Sequence, residues 1–275
     1  MTGFGGKVDA LAEKSNSFQK LWNDAYKLKG FRIDISDDPN FSTSASGNVI
    51  TLNKDVFSSP ENLIDTLTHE ITHVVYRNPN EGLSLSSLIG GSSRETFVNR
   101  FVSNQLLDEG EAKLMEIQVQ KEIGVDITAL RDMSDGDGTG KRLSEIYDRY
   151  SSGAIDHGAA RQQIGELFRN TNPNHMDFTY EQLNTKAALN NWNKQVAFVK
   201  ENLASFEKQA DYLNAELKAK TGSLERSEAR LATNPSDAIA LANKQAVTTA
   251  IAAARTKLLT IQPQIDWYQK YGSKK

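Results

Sequence analysis

From residue 189 onward, apolar residues recur at alternating steps of three and four: Leu189, Trp192, Val196, Val199, Leu203, Phe206, Ala210, Leu213 and Leu217. A helix with that spacing must lay its apolar seam against another helix. The register continues through Leu224 and Leu231, with Lys220 and Ser227 as polar interruptions. A second register follows Asn234-Pro235-Ser236-Asp237 and carries Val247, Ile251, Ala254, Leu258, Ile261, Ile265 and Tyr268. So short a break folds the two segments back on each other, and residues 181–275 are expected to form an antiparallel helical hairpin of coiled-coil type. Pro263 should kink the second arm. The arms are unequal, about 50 against about 36 residues at helical rise. Trp192, Val196 and Val199 therefore lie beyond the partner arm and are expected to contact the rest of the chain, because a bare apolar patch is a liability.

Residues 1–180 have a different texture and are expected to form a separate α+β, mostly helical domain. Val8, Leu11, Phe18, Leu21, Trp22 and Tyr26 place a helix over 8–29, stopped by Gly30. Phe31 to Ile35 alternates in the strand period, and Val49 to Leu52 makes a second strand; the two predict a small antiparallel sheet. Ser59-Pro60-Glu61 opens a helix that should run to Arg77, since Asn78 precedes Pro79. Ser92 with Glu95 has capping-box spacing and opens another helix, to about Gly124. Shorter helices are expected at 141–151 and 156–169.

The chemistry lies in His69-Glu70-Ile71-Thr72-His73. On a helix, positions i and i+4 share a face, so both imidazoles can reach one zinc ion. Glu70 stands beside them as a general base, and zinc lowers the pKa of its water to roughly 7. The capped helix start at Ser59-Pro60 puts the motif in mid-helix, where this geometry exists.

Catalytic zinc needs a third protein ligand, and the candidates lie in Asp108-Glu109-Gly110-Glu111-Ala112. Here the chain resembles the gluzincin metallopeptidases, whose second helix carries a Glu-Gly-x-Ala element. The resemblance covers about residues 31–122 and implies a zincin-like catalytic domain with Glu109 as third ligand. It also implies that Gly110 and Ala112 let the metal-site helices approach. Asp108 stands where the family usually has Asn, and Glu111 is the alternative ligand. Zincins place a sheet edge beside the active-site helix for an extended substrate, and Val49 to Leu52 is the segment expected in that role.

An oxyanion donor is also required, and His175 and Tyr180 are the candidates, ahead of Tyr147 and Tyr150. His157 is expected to be a surface residue. Asp132, Asp135 and Asp137 resemble a calcium loop but lack the glutamate at its twelfth position.

The region around the motif, together with residues 141–180, also resembles, more loosely, the metallopeptidase domains of bacterial polymorphic toxins and type VI secretion effectors. The expected function is thus a zinc-dependent hydrolase of amide bonds in protein or peptidoglycan peptides, acting as a secreted effector or toxin. A cytosolic peptidase with a helical oligomerisation arm is one alternative. A binding protein with a degenerate metal site is the other, and the intact Glu70 argues against it. Expected partners are a protein or peptide substrate, an immunity protein and a secretion-apparatus component. A formal charge of -3 argues against nucleic acid. The chain has no cysteine, which excludes thiolate ligands. The stretch Met1 to Asp9 lacks the basic start and apolar run expected of a secretory leader, and no apolar run reaches the roughly 20 residues needed to span a bilayer. The expected location is therefore outside the cell by a route without a cleaved leader, or the cytoplasm.

Overall fold

The computed structural model describes residues 2–38, 41–76, 93–125, 139–171 and 178–272. The chain is mostly helical, with a small three-stranded mixed sheet. By its contacts it divides into two compact units, residues 1–82 with 98–188 and residues 83–97 with 189–275.

In the first unit the expected helix over 8–29 is two helices, α1 (Gly6–Ala12) and α2 (Asn16–Tyr26). The break is a capping event. The Ser15 hydroxyl accepts the Phe18 N–H at 3.0 Å and donates to Glu122 at 2.5 Å, so α2 starts afresh there.

The sheet also departs from expectation. β1 (Arg32–Ser36) and β3 (Val49–Asn53) are parallel, with Ile33 opposite Ile50. Between them in sequence lies β2 (Ser44–Ser46), which turns back through Gly47-Asn48 to pair antiparallel with β3. Gly47 has φ +58, the left-handed conformation such a two-residue hairpin loop requires. The order is β1-β3-β2, so β3 is central and β2 is an edge.

Helix α3 (Pro60–Tyr76) begins as its sequence requires, with the Ser59 hydroxyl accepting the Asn62 N–H at 3.0 Å. Helix α4 (Arg94–Ile123) is capped by Ser93, which accepts the Thr96 N–H at 3.1 Å; the expected cap, Ser92, lies outside the described residues. Two apolar clusters flank α4. Val119 and Ile123 join Ile50, Leu52, Ile64, Leu67 and Ile71 in one. Val102, Leu106, Leu114 and Ile117 join residues of α5 (Thr139–Ser151) and α6 (His157–Arg169) in the other. Between residues 106 and 120 no position of α4 is exposed, so its polar residues there have to find partners inside the protein.

The second unit centres on α7 (Tyr180–Thr233), from Leu189 onward, and α8 (Ala238–Trp267). The Asp237 side chain caps α8 through the Ala240 N–H at 3.0 Å and holds Arg230 at 2.6 Å. Asn243 donates to Ser227 at 2.6 Å, and Lys244 pairs with Glu228 at 3.0 Å, so α8 runs back along α7. Val199, Ala210, Leu213, Val247, Ile251 and Ala254 are buried. Trp192 is buried too, with Phe97 and Trp267 as ring neighbours at 5.6 and 5.1 Å, both within this unit. Helix α8 continues through Pro263 and ends in a π-helical turn, Tyr268–Gly272.

Candidate metal centre

Helices α3 and α4 face each other through a ladder of polar side chains. Asp65, His69 and His73, spaced by four along α3, meet Gln120, Glu116 and Asp108, which descend along α4. The helices are therefore antiparallel along this seam. Thr68 and Thr72, also buried on α3, satisfy their hydroxyls on the carbonyls of Ile64 and Thr68, both at 2.7 Å.

Three ligand-type atoms converge at the centre. His69 Nε2 and His73 Nε2 are 3.1 Å apart, and Glu109 Oε2 lies 3.4 Å from the first and 3.8 Å from the second. Tetrahedral coordination at about 2.05 Å would place ligand atoms about 3.3 Å from one another. Each imidazole turns its other nitrogen to a carboxylate: His73 Nδ1 lies 3.0 Å from Asp108 Oδ2, and His69 Nδ1 lies 3.2 Å from Glu116 Oε2. Protons belong on those Nδ1 atoms, which leaves both Nε2 lone pairs facing inward. Glu109 Oε2 is buried and makes no hydrogen bond. With both rings neutral these three atoms are all acceptors, an arrangement that a metal ion, or a proton on His69, relieves. His69, His73 and Glu109 form a cluster able to hold a metal ion.

The surrounding charges are consistent with this chemistry. In the metal-free chain burial works against charging His69, yet its contacts with Glu109 and Glu116 outweigh that and raise its pKa well above the ordinary value. Burial would raise Glu116, but Lys113 and His69 bring its carboxyl down to about 2, so it is an anion. Glu109 is likewise lowered: burial opposes the shift, and His69, His73 and Lys113 outweigh it. Glu70 is displaced the other way. Burial raises it, His69 and His73 oppose that, and the Ala45 backbone N–H lowers it further.

The cluster opens into a cleft of about 650 Å³. One wall is the edge strand, with Ser44 and Ala45; Asn62, Asp65, Thr66 and Glu70 line it from α3, and Gln105 from α4. Phe168 and Tyr180, ring to ring at 5.3 Å, close another side. Burial, then the charges of Glu109, Glu70 and Glu116, push the Tyr180 hydroxyl upward, so it stays protonated.

Of the residues picked out from sequence, His69, Glu70, His73, Glu109 and Tyr180 are brought together. His175 lies outside the described residues, as do Asp132, Asp135 and Asp137. Glu111 turns away to α6, where it meets His157 at 3.2 Å and Arg161 at 3.7 Å, so it is not a member of the cluster. His157 is half exposed, as expected. Tyr147 and Tyr150 pack against the second core cluster and do not line the cleft.

Two readings are corrected. Val49 to Leu52 cannot offer a free sheet edge, because β3 is paired on both sides; the edge at the cleft is Ser44–Ser46. Gly110 does not ease α4 onto α3. A Cβ there would meet the Arg161 carbonyl oxygen at 2.0 Å, so it is α6 that approaches. Glu116, Lys113 and Gln120 were not foreseen; the signal was present, since they share the α4 face of Glu109 at helical spacing.

Comparison with protein-family models, curated proteins and solved structures found no match to this chain.

Proposed function

We propose that the protein is a zinc-dependent metallopeptidase whose centre is His69, His73 and Glu109. The observation that carries this reading is the orphaned Glu109 Oε2, buried beside two imidazole Nε2 atoms whose partner nitrogens rest on carboxylates. Two nitrogens and one carboxylate oxygen suit zinc, and three protein ligands leave a position open for chemistry. A zinc ion held there supplies Lewis acidity, acidifying water and polarising an amide carbonyl.

The chain's own residues do the rest. Glu70, one residue from His69 and lining the same cleft, takes the proton of the attacking water and delivers it to the departing amine. Its raised pKa brings it nearer to the operating pH, where one group can both accept and return a proton. Tyr180, kept protonated, can donate to the oxygen that gains charge. The free edge of β2 offers backbone groups to an extended peptide along the cleft. The intact base beside a three-ligand centre favours an enzyme over a binding protein, because a purely structural ion needs neither Glu70 nor an open cleft.

The test is the Glu70→Gln variant, incubated with zinc and a peptide mixture beside the unaltered protein. It should hold zinc and fold as before while peptide cleavage falls by at least about 100-fold. Undiminished cleavage by the variant would rule out this mechanism.

A further inference from the structure

Helix α8 presents to solvent a face that its own hairpin does not use. From Ala238 to Ile265 it carries no Asp or Glu. The exposed side of α7 is charged, with Glu201, Glu207, Lys208, Asp211 and Lys218, as a solvated helix ordinarily is. On α8, Leu241, Gln245, Thr248, Ala252, Arg255 and Leu259 are all exposed and recur at alternating steps of four and three. That is the spacing of a helix-packing seam. It is distinct from the seam of Val247, Ile251 and Ala254, which is buried. At 3.6 residues per turn the two seams lie about 110° apart around α8. Leu241 and Leu259, at the ends of the outer seam, are 50% and 77% exposed, so large apolar surface is left bare there. A shallow groove runs along its first half, beside Leu241, Ala242, Gln245 and Thr248.

The order of side chains along this seam is complementary to itself reversed. A two-fold axis at the level of residue 250 sets Leu241 opposite Leu259 of a second copy, Gln245 opposite Arg255, and Thr248 opposite Ala252. Large apolar side chains then close both ends, and small ones in the middle let the helices approach. Charge selects the same direction. Neither the Arg255 guanidinium nor the Gln245 carboxamide has a partner among the described residues, and the antiparallel arrangement gives each the other. A parallel arrangement would set Arg255 against its own copy. Lys244, at the edge of the groove, is already held by Glu228 at 3.0 Å. The seam spans about 27 Å at helical rise. A single helix pair of that length belongs with the small specific interfaces, below about 1,200 Å² in total. Association is therefore expected at micromolar concentration rather than as an obligate dimer.

We propose that the outer face of α8 is an isologous interface, on which a second copy of this chain packs its own α8 antiparallel across a two-fold axis. The proposal is independent of the metal centre, because every residue of the seam belongs to the second unit.

The experiment is sedimentation of the full chain from about 1 to about 200 µM, over which the mass should rise from one chain toward two. Leu241→Glu with Leu259→Glu sets like charges against each other and should weaken the dimer at least about 10-fold. The hairpin should stay folded by circular dichroism, since both side chains are exposed. Leu241→Lys with Leu259→Glu should restore association, because the antiparallel arrangement pairs those charges and a parallel one opposes them. Ile239→Glu with Ala253→Glu, an equal charge change at exposed positions on the far side of α8, should leave the dimer as it was. The chain has no cysteine, so engineered thiols report the contact without interference. Oxidation of mixed Thr248→Cys and Ala252→Cys chains should give the mixed disulfide ahead of either homodimer. A chain that stays monomeric across the range would overturn the proposal. So would a dimer equally sensitive to the far-side pair, or a prevalence of homodimer disulfides.

Discussion

His73 Nδ1 lies 3.0 Å from Asp108 Oδ2, across 35 residues of sequence. The contact favours a proton on the outer nitrogen, which is the state in which the inner one can bind a metal, and Glu116 faces the outer nitrogen of His69 in the same way at 3.2 Å. Outer partners of this kind are worth about 10–100-fold in metal affinity. Asp108→Ala should therefore weaken zinc binding by that factor, read by competition with a chromophoric chelator, while Asp108→Asn retains part of it. Equal affinities in all three proteins would show that the contact has no bearing on the metal.

Zinc binding should release protons at pH 7. Burial disfavours a charged His69, but Glu109 and Glu116 overcome this and raise its pKa well above the ordinary value, so these contacts favour the protonated ring in the metal-free chain. The contribution of those contacts to stability is complete below about pH 6.5 and is lost as pH rises through the raised folded value. A metal ion competes with that proton. Calorimetric titration in buffers of different ionisation enthalpy should show heats that scale with the buffer; buffer-independent heats would contradict a protonated His69.

Much of this site was legible in the sequence because helical spacing is local information. Ser59-Pro60 set the start of α3, and from there the i, i+4 rule placed both imidazoles on one face. What was not legible depended on which side of α4 meets which neighbour. The charged residues that follow Glu109 carry no sequence mark of burial, yet Glu111, Lys113 and Glu116 are all buried. Burial on both flanks erases the apolar stripe that would have marked the helix's orientation. The sheet departs from its sequence expectation for a related reason. Ser44–Ser46 lacks the β-branched and aromatic residues that announce a strand, so nothing local marks the antiparallel hairpin at Gly47-Asn48 or the parallel sense of β1 and β3.

The crossing of α4 and α6 makes a stability prediction independent of the metal. A Cβ on Gly110 would lie 2.0 Å from the Arg161 carbonyl oxygen, and one on Gly165 would lie 2.2 Å from that of Leu106. Gly110→Ala and Gly165→Ala must push two helix backbones apart, at a cost of about 1–3 kcal/mol. In α7, Gly222 meets only the end of the Arg226 side chain at 3.6 Å, so Gly222→Ala should stabilise by about 0.5–1 kcal/mol. Urea unfolding of the three variants reads both signs. A neutral Gly110→Ala would mean that the helices are not in backbone contact.

Metal stoichiometry tests the central claim most directly. After dialysis against a slight excess of zinc and removal of free metal, elemental analysis of the unaltered protein should give one zinc per chain. His73→Ala and Glu109→Ala, folded by circular dichroism, should each retain far less, because each removes one of the three side chains that, among the described residues, converge on the proposed metal position. No bound zinc in the unaltered protein, or full occupancy in His73→Ala, would contradict the account.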